Sequence, residues 1–256
     1  MQTTQALVLR TSGTNCELET ARALERGGAK VDVLSHRRLQ DDLPRLTKYR
    51  VLVFAGGFSH GDDLAAGRVW GSDLRAIRRE LDAFVADGGL ILGVCNGFQV
   101  LMESGLFQPD RAPEERTLAL YSNASNHYEC RWVQLAVERS KCSWWTEGWK
   151  FPVPVAHAEG RFTCKDEATL EGLRAAGQIV LTYQGANETL TYPENPNGSM
   201  GDVAGICDPS GRVVGLMPHP ERNLDLFNRP DWTRLEGRQE GEGVRFYADL
   251  VAAAQG

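Results

Sequence analysis

Residues 90–99 read LILGVCNGFQ, an apolar run that stops at Gly93, with a cysteine two residues on and a second glycine two after that. An apolar run without alternation is the mark of a strand buried on both faces, as in a parallel sheet covered by helices. From residue 98 the pattern turns helical until Gly105. The reading hinges on Cys95. Free cysteine is among the most buried residue types, so the thiol is either a small core residue at a strand end or a nucleophile displayed on a sharp turn. The G-x-C-x-G spacing suits a strand-to-helix elbow. A residue forced onto such a turn crowds its neighbours, and small residues two before and two after relieve the clash. The helix that follows would aim its N-terminal dipole and free N–H groups at the sulfur. Five residues alone do not decide between the two.

The flanking sequence repeats the strand–helix alternation. Strands are expected at residues 6–9, 31–34, 51–55 and 90–93, and helices at 17–26, 72–86 and from 98. The Asp87-Gly88-Gly89 stop closes the second helix. Beyond residue 127 the character changes. Strands are expected at 128–137, 153–162 and 178–183, and a hairpin joins 203–206 to 213–216 through Asp208-Pro209-Ser210-Gly211. A last helix covers 243–254. No repeat or Pro- or Ser-rich linker divides the chain, so residues 1–256 are expected to form one α/β domain. Its core is an open, mostly parallel sheet with helices on both faces and an antiparallel elaboration.

Composition narrows the function classes. The 256 residues are 42% hydrophobic and 24% charged, the balance of a globular protein with a full core. A net charge of −6 with dispersed acidic groups and no basic stripe argues against nucleic acid and serves solubility. No apolar stretch nears membrane-spanning length and the first run is too short for a signal peptide, so a cytoplasmic protein without membrane contact is expected. Cys16, Cys95, Cys130, Cys142, Cys164 and Cys207 include no C-x-x-C pair and are expected as free thiols. The N-x-[ST] triplets at Asn123, Asn187 and Asn197 carry no meaning without secretion.

A nucleophilic cysteine needs a base, and the base an orienting group. His219 ends an apolar strand, is clamped by Pro218 and Pro220, and is followed by Glu221, which could fix its tautomer. His157 in PVAHAEG, with Glu159 two residues on, is the rival. Paired H-x-E units would also suit a zinc deaminase, but that chemistry wants P-C-x-x-C, so no metal site is expected. His36 and His60 have no such context and read as exposed or interfacial. Gly56-Gly57-Phe58 after the third strand would let backbone N–H groups approach a ligand, as an oxyanion hole requires. Taken alone, that turn needs no function. Elbow, glycine turn and His-x-Glu together, each at a strand end, point to a site at the carboxyl edge of an open sheet.

These residues resemble the class I (triad) glutamine amidotransferases. The matching words are GTNCE (13–17), GGFSHGD (56–62), GVCNGFQ (93–99), PVAHAEG (154–160), NPNGS (195–199), VAGI (203–206) and MPHPER (217–222), in the family's order and across nearly the whole chain. The resemblance implies a flavodoxin-like fold. It makes Cys95 the nucleophile toward L-glutamine, His219 the acid and base, and Glu221 its orienting group. It also makes Gly57 and Asn96 the oxyanion-hole positions and Gln99 a residue that helps hold glutamine. SNHYE (125–129) would contact the substrate's amino-acid end, and His157 would be a motif residue without the base role. GGFSHGD, PVAHAEG and NPNGS mark the branch serving purine biosynthesis, whose ammonia goes to an ATP-dependent synthetase partner, with room for a small third subunit. The chain has no G-x-x-x-x-G-K-[ST] loop, so ATP and Mg2+ are expected on that partner and no cofactor here. KCSWWTEGWK (141–150) and ETLTYPE (188–194) depart from the compact family pattern. Trp144, Trp145 and Trp149 are expected in packing, with a docking surface as the alternative. Two other functions stay open: another amidotransferase pathway or a related cysteine hydrolase, and a non-catalytic regulatory module. An intact Cys95, His219 and Glu221 argues against the last.

Overall fold

In the computed structural model, which describes residues 3–186, 190–237 and 240–256, the apolar runs of the first half are strands. They are β1 (Gln5–Arg10), β2 (Lys30–Ser35), β3 (Val51–Phe54) and β4 (Leu90–Val94). Every residue of β3 and β4 is buried, so both faces of the sheet are covered. Among the described residues the main sheet has nine strands in the order β2-β1-β3-β4-β11-β10-β9-β6-β7. The later strands are β6 (Glu129–Val137), β7 (Lys150–His157), β9 (Ile179–Gln184), β10 (Val203–Cys207) and β11 (Val213–Leu216). The first five in that order run parallel, in flavodoxin-like sequence, and the hairpin β10–β11 turns the sheet antiparallel. Two strands, β5 (Leu118–Ser122) and β8 (Glu159–Cys164), form a separate antiparallel pair.

Helix α1 (Glu17–Arg26) packs with α7 (Glu242–Ala253), and α3 (Arg68–Asp73) with α5 (Asn96–Ser104). Leu7, Val53, Leu92 and Val214 are fully buried at the centre of the parallel half. Register places Phe54 beside Gly93 and Leu216 beside Val94. Three strands therefore release their chains at one carboxyl edge, where Gly56, Cys95 and His219 follow.

The fold corrects several expectations. The single strand at 153–162 is two: β7 stays on the edge of the main sheet against β6, whereas β8 leaves to pair with β5. Gly160 allows that corner, because a Cβ there would collide with the His157 ring. The helix at 72–86 begins earlier, at Arg68, and is interrupted by a tighter turn at Leu74–Ile77 before α4 (Arg78–Ala86). Three elements went unforeseen: α2 (His36–Gln40), β5, and α6 (Glu167–Ala175), whose N-cap Asp166 accepts from the Thr169 N–H at 2.8 Å. His36 is buried, not exposed, and meets the edge of Trp70 with ring centroids 6.2 Å apart. His60 is half-buried and within 3.3 Å of the Thr11 hydroxyl.

The tryptophan segment is packing. Trp144 and Trp145 are buried, Trp145 stacks on Phe246 of α7 at 4.2 Å and donates to its carbonyl, and Trp149 stacks on Phe151 at 4.3 Å. All six cysteines are free. Asn187, and Glu188 and Thr189 at the start of the second unusual segment, lie outside the described residues. No helix among the described residues is long and apolar enough to cross a membrane.

Candidate active site

The chain between β4 and α5 is a strained elbow. Cys95 adopts φ 51° and ψ −108°, a conformation that side-chain-bearing residues rarely take. Its N–H bonds the Leu216 carbonyl at 2.8 Å, and its own carbonyl accepts from Phe98 and Gln99 N–H at 2.9 and 3.1 Å, starting α5. The flanking glycines are sterically required. A Cβ on Gly93 would stand 2.6 Å from the Gly97 carbonyl, and one on Gly97 would overlap the carbonyl of Phe54.

His219 follows β11, where its N–H bonds the Pro154 carbonyl at 2.8 Å. Its Nδ1 lies 2.6 Å from Oε1 of Glu221, both side chains being essentially sealed from solvent. Nε2 is buried with no hydrogen-bond partner. Burial alone would push the imidazole down, but the adjoining Cys95 and the Glu221 carboxylate outweigh it and hold the ring's pKa well above its ordinary value. The other oxygen of Glu221 accepts from the Tyr247 hydroxyl on α7 at 3.3 Å. That phenol is wholly buried, and burial followed by the Glu221 charge pushes its pKa well up, so it remains a donor.

The Gly56–Gly57 turn stands against this group. A Cβ on Gly56 would lie 3.0 Å from His219 Cε1 and 3.3 Å from the Cys16 sulfur. Gly57 has φ 147°, and a side chain there would strike Thr14 and Asn15 at 2.7 Å. The Gly56 carbonyl accepts from Asn15 and Cys16 N–H at 3.3 and 3.2 Å. Asn96 ties the following loop to the elbow: its Oδ1 accepts from Ser59 N–H at 3.2 Å, and its Nδ2 donates to Asp62 at 3.2 Å and to Gln99 Oε1 at 3.0 Å. Gln99 also donates to the Glu159 carbonyl and, with Glu159, lines a cavity of about 270 Å³. Ser125, His127, Tyr128 and Glu129, from the stretch expected near the substrate, line another of about 750 Å³. Burial and then the nearby Cys95 push the Tyr128 phenol up.

The structure thus brings Cys95, His219, Glu221, Gly57, Asn96 and Gln99 to one edge. His157 is set apart from the base position. Its Nδ1 is 3.1 Å from Asn123 Oδ1, and burial followed by the His219 charge drives its pKa to about 3, so it stays neutral. NPNGS locks the same corner: Asn197 donates to the Gly160 carbonyl at 2.8 Å and Ser199 accepts from Phe162 N–H at 2.9 Å. Sequence reasoning missed Tyr247, a single tyrosine on an amphipathic helix that gives no local signal. Cys16 lay inside a quoted word, GTNCE, but had no assigned place.

Comparison with known proteins finds matches over nearly the whole chain. The family profile described as CobB/CobQ-like glutamine amidotransferase domain matches residues 3–252. A phosphoribosylformylglycinamidine synthase subunit PurQ from Methanococcus maripaludis is 43% identical over 234 residues, covering 89% of this chain and 85% of that protein. The PurQ subunit of Dehalococcoides mccartyi is 36% identical over 257 residues, covering 100% of this chain and 99% of the relative. Among solved structures, a chain from the structure of PurLQS from Thermotoga maritima superposes with a TM-score of 0.71 at 30% identity, covering 97% of this chain and 98% of that one.

Proposed function

The chain belongs to the CobB/CobQ-like glutamine amidotransferase family, and on that premise we propose how its site works. It is the glutaminase subunit of a phosphoribosylformylglycinamidine synthase, an enzyme of purine biosynthesis. It hydrolyses L-glutamine and delivers the ammonia to a synthetase subunit. In this reading the Cys95 sulfur attacks the side-chain carboxamide carbon of glutamine. The tetrahedral oxyanion is received by the N–H groups of Gly57 and Asn96, each worth about 3 kcal/mol to the transition state. His219, as imidazolium, protonates the departing nitrogen, leaving ammonia and a glutamyl thioester. The neutral imidazole then takes a proton from water, whose oxygen attacks the thioester. Glutamate forms and the Cys95 thiolate is restored.

Glu221 fixes the His219 tautomer and balances its charge. Gln99 keeps Asn96 in register and offers its remaining amide N–H to the substrate. ATP and Mg2+ act on the synthetase partner, a small third subunit completes the assembly, and the whole operates in the cytoplasm. Residues 1–256 act as one domain, a reading supported by the sheet that runs from β2 to β7. The observation that carries the mechanism is the sealed 2.6 Å His219–Glu221 pair at the strained Cys95 elbow. A glutamine analogue with an electrophilic carbon in place of the side-chain carboxamide tests it. One adduct should appear on the peptide containing Cys95 and be blocked by glutamine; an unlabelled Cys95 would overturn the assignment.

A further inference from the structure

Cys16 takes no part in the hydrolysis above, yet its sulfur sits at the catalytic group. Cys16 Sγ, a ring nitrogen of His219 and a carboxylate oxygen of Glu221 all lie within 4.8 Å of one another, and all three residues are buried. His219 Nε2 has no partner, and the ring and the sulfur both pack against Gly56, where a Cβ would stand 3.0 Å from Cε1 and 3.3 Å from Sγ. Tetrahedral zinc with sulfur at about 2.3 Å and nitrogen or oxygen at about 2.0 Å needs donors about 3.3–3.5 Å apart, so the 2.6 Å contact of His219 Nδ1 with Glu221 opens by about 0.7 Å and the Cys16 sulfur moves in by up to about 1.3 Å. Thiolate, imidazole and carboxylate select a borderline-soft cation over Mg2+ or Ca2+. A Cys16 thiolate and the Glu221 carboxylate neutralise a divalent charge between them. Arg222, which donates to the Cys16 sulfur at 3.0 Å, faces Glu19 at 3.7 Å on its other side.

We propose that Cys16, His219 and Glu221 form an inhibitory site for a thiophilic divalent cation such as Zn2+. Binding releases the Cys16 thiol proton and the proton shared by His219 and Glu221 to solvent, with no change of oxidation state. The occupied imidazole can then neither protonate ammonia nor activate water. The inhibition rests on the glutaminase reading; the metal site does not.

The test uses the intact chain, stripped with chelator and titrated with Co2+, whose sulfur-to-metal charge-transfer absorption reports a thiolate ligand. Wild type and Cys95→Ser should both show the band. Cys16→Ser, checked for native circular dichroism, should lose it and bind about tenfold or more weakly. Zinc inhibition, assayed with the synthetase subunit present and scaled to each complex's own zinc-free rate, should need about tenfold more zinc in Cys16→Ser than in wild type. A band that survives in Cys16→Ser, or vanishes in Cys95→Ser, overturns the proposal, the second result even where Cys16→Ser does not fold. Absent glutaminase activity in the wild type assayed with the synthetase subunit would sink the functional reading and leave the cobalt spectra to judge the site.

Discussion

Cys95 holds a backbone conformation that costs an L-residue roughly 1–3 kcal/mol, maintained because Gly93 and Gly97 let strand, elbow and helix close around it. The two His-x-Glu units show how environment divides identical local sequence. His219 lies against Glu221 and Cys95, which keep it cationic well above its usual range. His157 has only the neutral amide of Asn123 on Nδ1 and His219 as a charged neighbour, and its pKa falls to about 3. That difference has a sign in stability. Between about pH 6.5 and 3 the unfolded chain protonates His157 and the native protein does not, so this residue costs up to about 1.4 kcal/mol per pH unit as the pH falls. The contribution of His219 is fully present below about pH 6.5 and is lost only as pH rises through its raised folded value, so it stays constant in that window. Urea unfolding of wild type and His157→Gln from pH 7 to 4 should therefore give the variant the shallower acid decline; equal slopes would contradict the assignment.

At the scale of elements, α7 and α1 form the back wall of the site. Gly27 lets them touch, since a Cβ there would stand 2.8 Å from the Tyr247 backbone, and Trp145 fastens α7 from the other side. This packing holds the Tyr247 hydroxyl on Glu221. Tyr247→Phe keeps the ring and deletes one hydrogen bond to a charged group, so kcat should fall about tenfold with little change in KM. With less competition for its charge, Glu221 should hold the His219 proton more firmly and move the alkaline limb of the pH–rate profile upward. An unmoved profile would reduce Tyr247 to packing.

The contrast explains what the sequence discloses. β3, β4 and β11 are legible because burial on both faces leaves unbroken apolar runs. The elbow and MPHPER are legible because their constraints act between residues close in the chain. The division of 153–162 into β7 and β8 is enforced by pairing with β6 and β5, and no local pattern marks it. Tyr247 and Cys16 reach Glu221 and His219 only through the docking of α7 and α1, a tertiary event. Helix α6 was the recoverable omission, since Asp166 capping Thr169 and the Leu170–Leu173 spacing are written in the sequence.

Over the whole molecule, two halves of one sheet divide the work. The parallel half delivers Gly57, Cys95 and His219 to a common edge. The antiparallel half and the β5–β8 pair supply the corner built from PVAHAEG and NPNGS, with Glu159 reaching back through its carbonyl to Gln99. The decisive measurement is reconstitution with the synthetase subunit, comparing wild type and Cys95→Ala with glutamine or ammonium as nitrogen source. Cys95→Ala should abolish glutamine-dependent formation of formylglycinamidine ribonucleotide while ammonium-dependent synthesis persists. Glutamine-dependent product from the Cys95→Ala complex would contradict it.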